Sequence, residues 1–300
     1  MTGGEGARGK RMSENRSKLF LRLLPLVILI AAVLIFWGWK YLSRPRPTPA
    51  ATTEAAAETP LPELPPGSAF APLEREWVEI TGAPPVWPDD FDAPTDCSTA
   101  LDGLRALSGR VDSGDYARAS GVSAGTFELL LDVSESLERR KPTIGMRLDD
   151  GGAMRANIAH FVITLGPERL ARVIDLSRSQ SRMAEPLALN LYQWLRAGQR
   201  CPEGMRPPAE SVQYDYAAFL LQTIGGQAYL RRRAPRIEAL TSFYALLIAD
   251  HAFQRGHNPH GLDLRPELRR SKALIEGQPL VFRTRYLRVL DEIEARWQKL

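Results

Sequence analysis

Residues 23–39, LLPLVILIAAVLIFWGW, carry no charge and are bracketed by Arg22 and Lys40. With the partly apolar shoulder from Leu19 the segment runs about 17–21 residues. At about 1.5 Å per residue that is about 26–32 Å, the thickness of a bilayer's hydrocarbon core. Pro25 falls in the first turns, where a missing N–H is tolerated. Trp37, Trp39 and Tyr41 cluster at the far end, where amphipathic rings favour the membrane–water boundary. A cleaved signal peptide would have a shorter apolar run with small residues directly after it. Here WGWKYL follows, and the Ala-rich stretch comes about ten positions later. The expectation is an uncleaved transmembrane anchor over residues 19–42, with the lipid bilayer as its partner.

Orientation follows from the flanks. Arg8, Lys10, Arg11, Arg16, Lys18 and Arg22 precede the span; Lys40, Arg44 and Arg46 follow it. The excess predicts a cytoplasmic N-terminus and places the rest in the periplasm or extracellular space, at the inner (cytoplasmic) membrane. Charge elsewhere supports the division. The chain is +4, but residues 1–46 are +7, residues 47–69 are −3 and residues 70–300 are neutral. A neutral main domain has no field to attract nucleic acid, so none is expected as a partner.

Composition then divides the chain. Residues 1–18 read as a disordered tail rich in Gly, Arg and Ser. Residues 43–69 hold seven prolines and few large apolar side chains, which makes a semi-extended linker reaching about 80 Å at most. Residues 70–96 mix Phe70, Trp77, Trp87 and Phe91 with five prolines. They read as an extended aromatic strap over the main body, with a short strand possible at Glu76–Ile80.

Residues 97–300 are patterned for helices. Ser98 or Thr99 suits a cap ahead of Leu101, Leu104, Leu107 and Val111; Ser123 suits the next, which Pro142 stops. Residues 153–165 end at Gly166, and Pro167 opens a further segment. Residues 186–197 end at Gly198, and residues 211–224 and 227–233 bracket Gly225-Gly226. Residues 235–255 end at Gly256, and residues 266–275 at Gly277. The final pattern of Phe282, Tyr286, Val289, Ile293 and Trp297 steps by four and three along one face. Strand-like alternation is nearly absent. The fold class is all-α: a single N-terminal transmembrane helix, a Pro-rich linker and an extracytoplasmic domain. That domain should hold about 8 to 9 helices in an orthogonal bundle or irregular array.

Reactive side chains are few. Cys97 and Cys201 are the only cysteines. Their spacing matches no CxxC redox or zinc pattern, which leaves a disulfide in an oxidising compartment, two separate buried thiols or a catalytic thiol. His251, His257 and His260, near Asp250 and Asp263, supply metal-ligand chemistry at a spacing that fits no ligand motif; core and turn histidines are the plainer account. Arg231, Arg232, Arg233 and Arg236 are candidates for an anionic partner, or complement a helix C-terminus. Glu135 and Glu138 offer carboxylates of the kind used in glycan cleavage, without a second feature to support it. No phosphate loop, GxSxG, HExxH or dinucleotide fingerprint occurs, and no cofactor is implied. The expected role is a membrane-anchored binding or scaffolding module of the cell envelope, with an envelope protein or wall component as partner. The alternative is an envelope enzyme, a wall-glycan or metal-dependent hydrolase.

Overall fold

A computed structural model describes residues 71–88, 96–113, 125–144, 151–179, 181–231 and 234–299. The expected anchor over 19–42, the tail and the 43–69 linker lie outside them. Every described element is helical, and no described helix is long and apolar enough to cross a membrane. The described helices belong to one unit, Ala55–Leu300.

The elements are α1 (Ala71–Thr81), α2 (Cys97–Ser113), α3 (Thr126–Arg139), α4 (Gly151–Ser179), α5 (Ala184–Ala197) and α6 (Glu210–Gln222). They continue with α7 (Ile224–Arg231), α8 (Pro235–Gln254), α9 (Arg265–Glu276) and α10 (Arg283–Trp297). Short 3-10 turns flank α5 at Ser181–Met183 and Gly198–Arg200. The ten described α-helices slightly exceed the expected eight to nine, chiefly because α1 occupies what reads in sequence as an extended strap.

That strap is corrected at α1. Pro72 lies in the first turn, where its lacking N–H has no intrahelical partner to lose, and the next proline is Pro84. The intervening residues are free to coil, and the strand expected at Glu76–Ile80 is helix. Packing on the body survives in altered form. Trp77 is buried edge-on against Phe282 at 5.1 Å, and Trp87 meets Phe282 and Tyr286 at 5.2 and 5.4 Å.

Two helix starts also differ from the expected caps. Asp96, not Ser98 or Thr99, caps α2: its Oδ2 accepts the Thr99 N–H at 3.1 Å. α3 is capped from another helix. Asp112 near the end of α2 accepts the N–H groups of Gly125 and Thr126 and the Thr126 hydroxyl. Position-by-position cap rules cannot see a donor–acceptor pair 13 residues apart. Burial works to raise the Asp112 pKa, but these hydrogen bonds and the Arg172 charge outweigh it and hold the carboxyl below its ordinary value.

The core is built around α8. Pro235 starts it, and its residues 242–247 are all buried. It lies against α5, α6, α7, α9 and α10. Phe243, Tyr244, Leu246, Tyr286, Leu290 and Ile293 form its apolar heart. Burial of such side chains stabilises by about 1.5–3 kcal/mol each, set against chain entropy. A second cluster joins α2 to α5 through Ala100, Leu101, Leu104, Trp194 and the two cysteines.

The α6–α7 junction shows why sequence placed its break two residues late. The break falls at Thr223 (φ −82°, ψ 144°), and Gly225-Gly226 belong to the first turn of α7. Thr223 Oγ1 donates to the Phe219 carbonyl and accepts the Gly226 N–H, so it ends one helix and caps the next. Gly226 then approaches α6 so closely that a Cβ there would sit 1.9 Å from the Phe219 oxygen. Its glycine serves close approach rather than a break.

Candidate functional site

Cys97 opens α2, and Cys201 follows the 3-10 turn after α5. Their Cα atoms are 5.2 Å apart and the sulfurs are bonded. Both residues are buried among Ala100, Leu101, Leu104, Trp194 and Ala197. The bridge closes a sequence separation of 104, which contributes about 4–5 kcal/mol in the chain-entropy account. Of the outcomes open in sequence, separate thiols and a catalytic thiol are thus set aside. Next to the bridge, Trp194 Nε1 donates to the Met205 carbonyl and pins the following loop.

Among the described residues, several chemistry-bearing side chains gather where α6 meets the 255–264 loop and the end of α3. Tyr214 is at their centre. Its hydroxyl donates to Asn258 Oδ1 at 2.6 Å, and the same oxygen accepts the Leu262 N–H at 2.8 Å. The His260 ring stacks on Tyr214 at 5.5 Å and 4°, while His257 meets it edge-on at 5.1 Å. His260 Nε2 lies 2.9 Å from Asp215 Oδ1, and Lys141 Nζ is 3.4 Å from Asp215 Oδ2. The HNPH stretch is thus a folded loop gripped by one tyrosine and one aspartate. Burial raises the Tyr214 pKa above 10, and the Asp215 charge adds to the rise against a hydrogen bond from the loop. Tyr214 stays a neutral donor at physiological pH. The face presents polar groups that can bind a polar ligand.

The three histidines do not converge as metal ligands. His257 and His260 flank Tyr214, and His251 lies half-buried on α8. Among the described residues no three His, Cys, Asp or Glu side chains come together to hold an ion. Asp250, expected near them, is instead buried and accepts Trp297 Nε1 at 2.8 Å, Arg296 Nη2 at 2.6 Å and Gln254 Nε2 at 2.6 Å. It fastens the end of α10 to α8.

The arginine group is divided too. Arg231 is exposed at the end of α7, and Arg232 and Arg233 lie outside the described residues. Arg236 is half-buried, donates to the Pro279 carbonyl at 2.5 Å and lies 3.9 Å from Glu76. It joins α8 to α1 and to the turn before α10. Glu135 is exposed and paired with Arg139 one turn on. Asp263 sits in an Arg265 fork that holds its carboxyl below the ordinary range.

A buried carboxylate went unnoticed in sequence. Glu185 on α5 is 2% exposed, and its two oxygens accept the N–H groups of Val281 and Phe282, each at 2.9 Å. Those groups begin the approach to α10, so the carboxylate caps that helix from across the core, at the positive end of its dipole. Those hydrogen bonds and the Arg236 charge favour its ionised form, yet burial dominates and raises its pKa. The only available sequence signal was AEPLAL, an acid beside a proline in an apolar helix, and that is too common to single out.

No protein-family model matches this chain, and no curated protein or solved structure matches it.

Proposed function

We propose that this protein is a membrane-anchored, extracytoplasmic binding or scaffolding module of the cell envelope. It holds a partner protein or wall component at a set distance from the inner membrane. The Cys97–Cys201 bond carries this reading. Buried disulfides form and persist in oxidising compartments, and the charge-free run over 23–39 supplies a tether that leads there. The neutral helical body and the proline-rich stretch supply surface and reach. His257, His260, Asp250, Glu135 and Arg236 work in structural contacts rather than around a shared reactive point.

The decisive experiment has two readouts on the full chain in its native membrane. A reporter fused after Leu300 that is active only outside the cytoplasm supports the topology; activity only inside it, or a mature protein beginning near Ala50, refutes it. Crosslinking followed by partner identification tests the scaffold role. An envelope hydrolase remains the second reading, favoured by the 2.9 Å His260–Asp215 pair. It requires turnover of a wall substrate by the purified full-length protein, lost in His260→Ala.

A further inference from the structure

α4 is broken within itself. Gly166 has φ 77° and ψ 161°, outside the helical region, and Pro167 begins the second half. A positive φ suits glycine, and a Cβ there would meet nothing within 4 Å, so the break is open space rather than a packed corner. The two halves have different attachments. The second is held by Arg169, which reaches Asp132 and Ser136 on α3. The first lies against α7 and reaches α6 through a buried imidazole and through Phe161, whose ring meets that of Phe219 edge-on at 5.6 Å.

That imidazole is His160, 6% exposed. Its Nε2 lies 2.9 Å from the Tyr216 hydroxyl oxygen. Tyr216 has one proton to give, and the Arg140 carbonyl at 2.8 Å and the Leu137 carbonyl at 3.2 Å take it. The Tyr216 oxygen therefore accepts from His160, which puts the proton of the neutral ring on Nε2. One imidazole–phenol relay ties α4, α6 and the end of α3 together. The ring is surrounded by aromatic faces: Phe161 at 5.4 Å, Tyr216 at 5.6 Å and Phe219 at 5.4 Å, with Tyr229 stacked behind Phe161 at 4.1 Å.

We propose that the first half of α4 is an acid-released arm, hinged at Gly166 and latched by His160 on Tyr216. A second proton on the ring would place a cation inside an aromatic pocket. The charged groups facing that pocket do not compensate it. The end of α3 presents Arg140, whose guanidinium donates to the Ile163 carbonyl, and Lys141. Arg155 on α4 itself is exposed to solvent, and α7 presents neutral Tyr229, whose ring lies against Phe161. On α6, the Asp215 charge is engaged by Lys141 and His260. Burial pushes the His160 pKa below its ordinary 6.5, and the Arg140 charge pushes the same way. The sign follows from linkage. Above 6.5 the ring is neutral whether the arm is closed or open; below it the open arm takes up a proton that the closed arm resists, so acid favours opening. Opening uncovers the Phe161 and Phe219 rings beside Val162 and Ile163, which are already exposed.

Hydrogen exchange of the full-length protein at pH 7.5 and 5.5, corrected for intrinsic rates, reads the opening of residues 151–165. The expected result is several-fold more opening at pH 5.5, with a ceiling of about tenfold for one proton one pH unit below 6.5. Peptides of α8 should not respond. His160→Gln keeps an N–H donor without the titration and should remove the pH response; Tyr216→Phe should loosen the arm at both pH values. Titration of the wild-type imidazole by NMR, which needs no variant, should place it below 6.5. Equal opening at the two pH values, a response that survives in His160→Gln, or an imidazole titrating at or above 6.5 overturns the proposal.

Discussion

α8 and α4 have comparably apolar stretches, SFYALLIA in one and HFVITL in the other, and opposite fates. α8 buries ten side chains along 20 residues. α4 runs 29 residues, and its described buried side chains are Asn157, His160 and Leu165, while Val162 and Ile163 stay half-exposed. Apolar content does not separate the two. The extent of packing does: α8 packs closely on five helices, and α4 chiefly on α7 and α3, with His160 and Phe161 reaching α6. A helix apolar all round needs surrounding elements, and only the interior position supplies them. Where neighbours are missing, polar side chains such as His160 hold the helix in place.

The comparison can be broken or sharpened by mutation. The largest effect should come from the bridge that joins α2 to α5. Cys97→Ser with Cys201→Ser, or full reduction, is expected to cost about 4 kcal/mol, seen as a lower urea midpoint. Phe243→Ala, in the fully buried centre of α8, is expected to cost about 4 kcal/mol. A loss below about 1 kcal/mol would mean that α8 is not the core. Glu185→Ala leaves the N–H groups of Val281 and Phe282 without their acceptor and should cost about 3 kcal/mol. At the other end of the scale, Ile163→Ser on α4 should stay within about 0.5 kcal/mol of wild type. A larger loss would show that the face is covered.

Glu185 also gives the comparison a pH axis opposite to that of His160. Its folded pKa is raised by burial, so its contribution to stability is greatest below the ordinary 4.5 and falls as pH rises through the folded value. Urea midpoints at pH 4.5 and 7.5 should therefore show wild type losing ground to Glu185→Gln as pH rises. A widening advantage for wild type at high pH would contradict the buried, desolvated carboxylate.

Legibility in sequence follows the range of the interaction. Helix stops at Gly198, Gly256 and Gly277 were readable because a terminus is decided by a few adjacent residues. The break at Gly166-Pro167 was readable for the same reason. The α1 helix is hidden by the proline content of the 70–96 stretch as a whole, although none falls between 72 and 84. Caps by Asp112 and Glu185 were invisible, since each joins residues brought together only by packing. His251, His257 and His260 are close in sequence, but one lies on a helix and two flank a tyrosine, which closeness along the chain could not reveal.

By itself the chain's order of residues determined an all-helical body, most helix ends, a charge-free run of spanning length and two cysteines able to pair. Those depend on backbone preferences and on water's exclusion of apolar faces, which act over one or two turns. Tertiary structure alone decided that the cysteines do pair, that Glu185 and Asp250 become buried anchors, and that an imidazole on α4 meets a phenol on α6. Each of these needs two groups distant along the chain within about 3–5 Å of each other, and only the packed arrangement of all the helices sets that distance.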